Sequence, residues 1–223
     1  MPTLLLRLAA PLQSWGGDCK FEIRRTRNEP TKSGVIGMLA AALGWRRDDD
    51  EGLLKLNTLK FGVRVDQEGM DIVDFHTAHG KDSYVTYRHY LSDAIFLAGL
   101  ENDNKDFLKK LEDAIKNPVF PLFLGRRSCP PTLPIVIGIR DCTLENALTE
   151  EPVLGKISNQ SIRVQLEATD TMDLTEASVC HDLALSFNPQ KRIYGYRKVK
   201  EHYMDMTPVV DTEHDAMSEL EEL

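Results

Sequence analysis

The order of the predicted elements indicates an α+β protein built on a ferredoxin-like (RRM-like) βαββαβ domain. Two stretches with helical spacing of apolar residues lie among four strand-like stretches, in the order strand, helix, strand, strand, helix, strand. Right-handed crossovers would place both helices on one face of an antiparallel sheet. A long polar segment between the two middle strands, residues 66–92, predicts a protruding thumb-like arm. We therefore expect this domain over residues 1–140, a smaller β-rich C-terminal part over 141–210 and a mobile acidic tail over 211–223.

The first strand and the first helix follow from periodicity and from capping residues. Residues 3–9 place three leucines on one face at period two, which predicts a strand. The next apolar stripe has helical spacing. Thr31 or Ser33 can cap its beginning, and Gly44 stands at its C-terminal stop position. The sequence also allows a short helix over 50–56.

The other elements of the domain follow from the same periodicities. Residues 60–65 alternate apolar and polar side chains and residues 94–100 are apolar, so both predict strands. Helical spacing of apolar residues predicts a helix over 104–117. The last strand is either 119–124 or 135–140.

The C-terminal part is predicted to be β-rich because turn-forming Asp, Asn, Pro and Gly residues separate three strand patterns. These patterns cover residues 161–167, 181–187 and 192–199. The tail that follows has too little apolar content to fold by itself.

The composition is typical of a cytoplasmic globular protein. Hydrophobic residues make up 42% of the 223, which is enough to bury a core. No apolar run approaches the roughly 20 residues that span a bilayer, and the chain does not start with a cleavable leader pattern, so no membrane contact is expected. The four cysteines lie far apart without CxxC spacing, as expected for thiols in a reducing compartment.

The net charge of −8 argues against a general nucleic-acid binder, but the charge is unevenly distributed. Residues 211–223 hold six acids and no Lys or Arg, so the rest of the chain has a net charge of −2. Residues 1–47 have a net charge of +5, and residues 187–203 have a net charge of +4. Local basic patches of this kind can hold phosphates, although a mixed solvated surface would have the same composition.

A basic segment precedes the first predicted helix. Arg24, Arg25 and Arg27 come shortly before Lys32 and Ser33 at the helix start. Helix N-terminal N–H groups favour an anion, and guanidinium groups bind phosphate in bidentate fashion. The segment therefore predicts a phosphodiester cradle, and the alternative is a solvated basic loop beside an ordinary helix cap.

Aromatic and basic residues alternate along the arm. His76, Tyr87 and Arg88 suit stacking on unpaired bases with phosphate contacts alongside. A zinc site at His76 and His79 would lack a Cys or acidic partner at suitable spacing. Metal-free RNA cleavage is a further alternative, in which a His or Tyr deprotonates the 2′-hydroxyl and Lys81 or Arg88 stabilises the phosphorane.

Paired arginines mark a turn after an apolar stretch. Arg126, Arg127 and Ser128 precede two prolines, which indicates either a rigid phosphate or base contact or a plain surface turn. Cys129 has no identifiable His partner and is not expected to be a nucleophile. The glycine motif at 34–37 lacks the Gly-Lys-Ser/Thr ending of a P-loop. Neither a cofactor nor a metal is expected.

Six short segments resemble the Cas5 family of CRISPR-associated proteins, in its type I-E branch. They read LLLRLAAPLQSWG at 4–16, PTKSGVIG at 30–37, LGWRRDD at 43–49, DFHT at 74–77, YRHYLSDA at 87–94 and LGRRSCP at 124–130. The segments occur in the family's order over the first 130 or so residues, and on this basis the chain is identified as a member of the family. Beyond Ile139 the resemblance is loose.

The resemblance implies an RNA-holding subunit of the CRISPR surveillance complex Cascade, bound to the 5′ handle of the CRISPR RNA. The arm would lie along the guide and contact the backbone subunit CasC. Another surface would support the large subunit CasA, and target DNA would bind through the assembled complex.

The resemblance also implies that the chain is not an enzyme, because repeat cleavage in type I-E belongs to a different subunit. A related branch, type I-C, cleaves the repeat RNA with a Tyr, Lys and His group. His76, Lys81 and Tyr84 could form such a group, so an endoribonuclease is the second hypothesis. A protein-interaction module without RNA is the third.

An RNA-holding role predicts contacts mainly to phosphates, with rings available for the bases. The expected RNA-binding residues are Gln13, Trp15, Arg24, Arg25, Arg27, Lys32, Ser33, Arg46, Arg47, His76, Tyr87, Arg88, Arg126, Arg127 and Ser128. Trp15 is also a candidate core or subunit-interface residue. We expect the arginines to converge in space around the helix start and the turn.

Overall fold

A computed structural model describes residues 1–16, 19–20, 22–79, 83–155, 161–168 and 177–205. In chain order, its elements are β1 (Thr3–Ala9), β2 (Leu12–Gln13), β3 (Cys19–Lys20), β4 (Ile23–Arg24), α1 (Lys32–Ala42), α2 (Asp50–Asn57), β5 (Lys60–Gln67), β6 (Met70–Ala78), β7 (Tyr84–Ser92), β8 (Ile95–Glu101), α3 (Lys105–Lys116), β9 (Val136–Arg140), α4 (Leu144–Glu150), β10 (Ser161–Glu167), β11 (Ser178–Ser186) and β12 (Ile193–Asp205). The fold is mixed α/β, as the sequence predicts.

Seven strands form the main sheet, in the order β11-β12-β10-β5-β8-β1-β9, with every neighbouring pair antiparallel. Leu4, Leu6 and Leu8 of β1 face the large core beneath α1 and α3, because alternate residues of a strand point to the same side. Leu5 points to the opposite face, into a smaller core. The centre of the sheet is therefore buried on both sides.

Polar caps begin the two long helices. The Thr31 side chain accepts a hydrogen bond from the Gly34 N–H at the start of α1, so Thr31 and not Ser33 is the cap. The Asn104 side chain accepts from the Phe107 N–H at the start of α3. These caps confirm where the sequence pattern predicts each helix to begin.

Helix α4 is absent from the sequence prediction. Its residues Leu144, Ala147 and Leu148 pack with Leu5 and Leu97 on the sheet face opposite α1. Seven residues make only about two turns, too few for a helical period to stand out. Helix α4 covers the middle of a sheet face that the predicted domain would leave open.

The later strands correct the prediction in detail. Of the two candidates for the last strand of the predicted domain, 135–140 contains β9 and 119–124 is not a strand. β10 coincides with the predicted 161–167, and β11 and β12 overlap the predicted 181–187 and 192–199. Because β10 pairs with β5, these three strands continue the main sheet.

A β-hairpin of β6 and β7 occupies the predicted arm, paired from Met70↔Ser92 to Ala78↔Tyr84. The other edge of β7 pairs with β2 and with β4, which in turn pairs with β3, so the base of the arm is tied to the segment before α1.

The predicted acidic tail, 211–223, and the preceding 206–210 lie outside the described residues. The division of the chain at residue 140 stays a prediction. In the described ranges, no helix is long and apolar enough to cross a membrane.

Candidate nucleic-acid interface

An open cleft of about 530 Å³ lies where α1, the segment that follows it, residues 120–127 and the start of β12 meet. Four basic side chains line this cleft, which we call the arginine cleft: Arg46, Arg47, Arg127 and Arg192. Five aromatic side chains lie beside them: Trp45, Phe120, Phe123, Phe187 and Tyr194. Ser33 and Gly34 contribute the part of the lining nearest the helix start.

The four arginines of the cleft are available to a ligand. All four are exposed, and no hydrogen bond or ion pair joins their guanidinium groups to another residue in the described part of the chain. Without a carboxylate partner, their charges add to a positive potential over the cleft. Aromatic rings beside such charges provide stacking surfaces for bases, so the cleft can bind phosphates and bases together.

Close backbone packing fixes the turn that holds Arg127. The Ser14 N–H donates to the Leu124 carbonyl oxygen at 3.1 Å. Gly125 has a φ of 91°, and a Cβ there would overlap the carbonyl oxygen of Ser14. Because only glycine tolerates both conditions, this residue determines where Arg127 enters the cleft.

Arg126 turns away from the cleft and holds the base of the arm. Its Nη1 donates to the His89 carbonyl oxygen at 3.1 Å, and its Nη2 donates to the Arg24 carbonyl oxygen at 2.8 Å. Its guanidinium lies over the Tyr90 ring, 4.7 Å from the centroid. Burial alone would raise the pKa of Tyr90, but hydrogen bonds with Ser128 and Arg126 outweigh it and lower that pKa. Arg126 thus has the contacts of a positioning residue.

The phosphate cradle predicted at the start of α1 needs correction. The Lys32 N–H donates to Asp182 Oδ2 at 2.8 Å, and the Gly34 N–H donates to Thr31. The Lys32 side chain is only 2% exposed, and its Nζ pairs with Glu167 at 2.8 Å. Burial lowers the pKa of Lys32 despite this partner. The Asp182 carboxylate therefore occupies the place at the helix start that the sequence predicted for an RNA phosphate. The Lys32 side chain is buried and paired, so it is not accessible to RNA.

Gln13 and Trp15 are also buried and correct the site prediction. The Gln13 amide donates to the Ala94 carbonyl oxygen at 2.7 Å and accepts from the Trp15 indole N–H at 3.1 Å. Each polar group thus has a partner inside the protein, as burial requires. Arg27 is partly buried, with Nη1 3.6 Å from Cys180 Sγ.

The arm residues stay on the surface. His76 is exposed, with Nε2 2.8 Å from Asp74 Oδ2, and Tyr87 is exposed beside it on the hairpin. Arg88 is partly buried, and its Nε has no hydrogen-bond partner in the described ranges. Arg25 is exposed on the segment before α1.

Five of the eight predicted arginines lie in two adjoining groups, and Arg25, Arg27 and Arg88 belong to neither. The first, in the cleft, contains Ser33, Arg46, Arg47 and Arg127. The second, at the base of the arm, contains Arg24, Arg126 and Ser128. The two groups meet because Gly125 lines the cleft and its neighbour Arg126 anchors the arm. Their contact with RNA stays a prediction.

Sequence reasoning missed Arg192 and all five rings of the arginine cleft. The net charge of +4 over residues 187–203 was the signal that could have identified Arg192. The rings lie on three separate segments and share no local pattern, so only the fold brings them together.

Metal binding and nucleophilic or acid–base cleavage are the alternative chemistries for these residues. Among the described residues, no group of three or more His, Cys, Asp or Glu side chains could hold a metal ion. Of the alternative cleavage group, His76 and Tyr84 are exposed, and Lys81 lies outside the described residues. Burial raises the pKa of the Cys129 thiol, so the thiolate that a nucleophile needs is disfavoured.

Comparison with known proteins agrees with the geometry. The model of a family described as CRISPR-associated protein (Cas5) matches residues 3–200. The CRISPR system Cascade subunit CasD of Escherichia coli (strain K12) is 34% identical, with 70% of this chain and 80% of the relative covered.

Two solved structures share the fold over nearly their full length. One, described as the crystal structure of a Cas protein, is 39% identical with a TM-score of 0.74, covering 91% of this chain and 95% of the other. The second, from a CRISPR RNA-guided surveillance complex, is 30% identical with a TM-score of 0.78, covering 99% and 98%.

The fold and the cleft, together with these matches, define a CRISPR-associated protein. The matched region covers most of the sequence and includes both arginine groups. The chain belongs to the Cas5 family, which confirms the resemblance found in the sequence.

Proposed function

We propose that this chain is the non-catalytic subunit of a type I-E CRISPR surveillance complex that holds the 5′ handle of CRISPR RNA in the arginine cleft. The observation that carries the proposal is the set of four exposed guanidinium groups, without partners in the described chain, beside five aromatic rings. Similarity to CasD and to a subunit of a surveillance complex supports the assembly role.

The lining of the cleft favours binding through the RNA backbone. Guanidinium forks bind phosphates, and rings stack on any base. The polar side chains of the lining other than the arginines are few, with Ser33 among them, so little of the surface suits base-edge readout. Affinity in this arrangement should therefore depend strongly on salt and weakly on sequence.

The arm supports contacts with neighbouring subunits. Val73, Phe75, Val85 and Tyr87 alternate along the two paired strands and are all exposed. We infer that this apolar face contacts CasC and the guide, that another surface supports CasA, and that target DNA binds through the assembled complex in the cytoplasm. The order β9-β1-β8-β5, with α1 and α3 on one face, supports a ferredoxin-like core for this subunit.

Binding of labelled handle RNA to the purified chain, followed by fluorescence anisotropy over a range of salt concentrations, tests the proposal. Arg127→Glu should weaken binding about tenfold or more, because it removes a charge-assisted hydrogen bond and adds repulsion. With four phosphate contacts, the logarithmic salt slope should be roughly −3, and Arg127→Glu should reduce its size by about 0.7.

Lys110→Glu is the matched control, since Lys110 is exposed on α3 and lies outside the cleft lining. It should bind like the wild type. Equal loss in both variants would indicate a general effect of net charge, and no loss in Arg127→Glu would remove the cleft from the binding site.

A separate assay tests the absence of catalysis. His76 is exposed on the arm and its Nε2 lies 2.8 Å from Asp74 Oδ2. Incubation with repeat RNA in EDTA should leave the RNA intact. A cleavage product that disappears in His76→Ala would make the chain an endoribonuclease.

A further inference from the structure

In the described part of the chain, one face of the two C-terminal strands carries exposed side chains. Helix α4 packs on β5, β8 and β1, on the side of the sheet opposite α1. The exposed side chains of the face are those of Val179, His181, Tyr196 and Lys198, with Lys200 half-buried at its end. We call this surface the Tyr196 face.

Strand alternation separates this face from the core. Arg197 and Val199 of β12 are buried on the α1 side, so Tyr196, Lys198 and Lys200 point to the other side. Val179 lies directly opposite Lys198 in the ladder. Tyr196 is 68% exposed, so its ring is accessible to a ligand.

Two rings on the Tyr196 face are already stacked. The centroids of His181 and Tyr196 are 4.5 Å apart, with an angle of 26° between the rings. His181 Nε2 lies 3.2 Å from the Tyr194 carbonyl oxygen, a hydrogen bond that fixes the orientation of the imidazole. A fixed, exposed ring pair is a platform that an unpaired base can extend.

Charge is segregated between the two sides of these strands. The acids Asp182, Glu201 and Asp205 lie on the α1 side by alternation, and Asp182 is neutralised by Arg197 at 2.7 Å. Lys198 lies exposed on the Tyr196 face. A positive charge beside a ring stack suits a polyanion that also carries rings.

We propose that the Tyr196 face is a second binding site, for single-stranded nucleic acid, distinct from the arginine cleft. Bases extend the His181–Tyr196 stack, and Lys198 contacts the phosphates. Tyr194 lines the cleft, and its ring meets the edge of the His181 ring with the centroids 6.2 Å apart, so the two sites adjoin at the start of β12. An acidic protein surface would bind Lys198 without using the rings.

The test uses the full chain with Arg127→Glu and Arg192→Glu, which disable the cleft and leave the second site intact. The probes are labelled oligo(dT) and oligo(U) of about 12 nucleotides, a length within the range that one such surface covers. Added to this background, Tyr196→Ala should weaken binding of at least one probe about tenfold by loss of the stack. Lys198→Glu should weaken it further and reduce the salt dependence.

Tyr203→Ala is the matched control, because Tyr203 is 65% exposed and lies on the other side of β12. It should leave binding unchanged, and circular dichroism should show all variants folded. Unchanged affinity in Tyr196→Ala for both probes overturns the proposal. Loss with Lys198→Glu alone also overturns it, because binding would then be purely electrostatic and the ring stack would take no part. Binding of handle RNA to the chain with an unmodified cleft is measured in the separate anisotropy assay. A negative result for the Tyr196 face therefore does not affect the proposed function.

Discussion

Three buried charged residues and the half-buried Glu167 connect the start of α1 to the C-terminal strands. Arg197 donates two hydrogen bonds to Asp182, at 2.7 and 2.9 Å, and their side chains are 4% and 3% exposed. Asp182 also accepts from the Lys32 N–H, and Lys32 pairs with Glu167. This cluster joins α1, β10, β11 and β12, and β12 supplies Tyr194 to the wall of the arginine cleft.

Asp182→Ala should destabilise the protein by about 3–5 kcal/mol, because it leaves the Arg197 charge buried without a partner. The Lys32 N–H loses its acceptor as well, which adds to the cost. In the double variant Asp182→Ala, Arg197→Met, no buried charge is left unpaired at this position. The double variant should therefore be more stable than Asp182→Ala alone, as in other replacements of buried ion pairs by apolar groups.

Urea unfolding followed by far-UV circular dichroism measures these free energies. Asp141→Ala is the control, because it breaks the Lys105–Asp141 pair, whose side chains are 57% and 72% exposed, and should cost about 1 kcal/mol or less. The reasoning is refuted if Asp182→Ala costs no more than this control. It is also refuted if the double variant is destabilised by the sum of its two single changes.

Two further predictions concern the turn and the pH dependence of stability. Gly125→Ala should destabilise the protein by about 1–3 kcal/mol or more and weaken handle binding, because φ is 91° and the Ser14 carbonyl oxygen fills the space that the Cβ would need. Gly16→Ala is the control and should be neutral in both assays, because a Cβ at Gly16 would have no atom within 4 Å. Burial lowers the pKa of Lys32, so the unfolded chain binds more protons than the folded one between that lowered pKa and 10.5. The free energy of unfolding of the wild type minus that of Lys32→Met should thus rise with pH through this window. A difference that stays constant or falls would contradict a lowered pKa for Lys32.

The arginine cleft and the Tyr196 face depend on the fold to different extents. The arginine cleft depends on three separate segments meeting, so changes in packing far from it should alter RNA affinity. The Tyr196 face depends on two adjacent strands only, and its binding should persist whenever β11 and β12 stay paired.

Local patterns of the sequence determined the individual elements. Three leucines at period two predicted β1. A cap at Thr31 or Ser33 predicted the start of α1, and apolar spacing over 104–117 predicted α3. Strand alternation, helix capping and helical spacing all depend on residues close together in the chain. The collinear segments from 4–16 to 124–130 also identified the family, since each is a contiguous run of residues.

Only the tertiary structure decided which charged residues are free to bind a ligand. Lys32 and Arg127 belong to similar basic motifs, but a carboxylate from β10 neutralises Lys32 while Arg127 has no partner in the described chain. The rings of the cleft and the stack of His181 on Tyr196 arise from segments that no local pattern connects. Burial and pairing depend on neighbours distant in sequence, and for that reason a basic motif alone cannot distinguish an internal ion pair from a binding site.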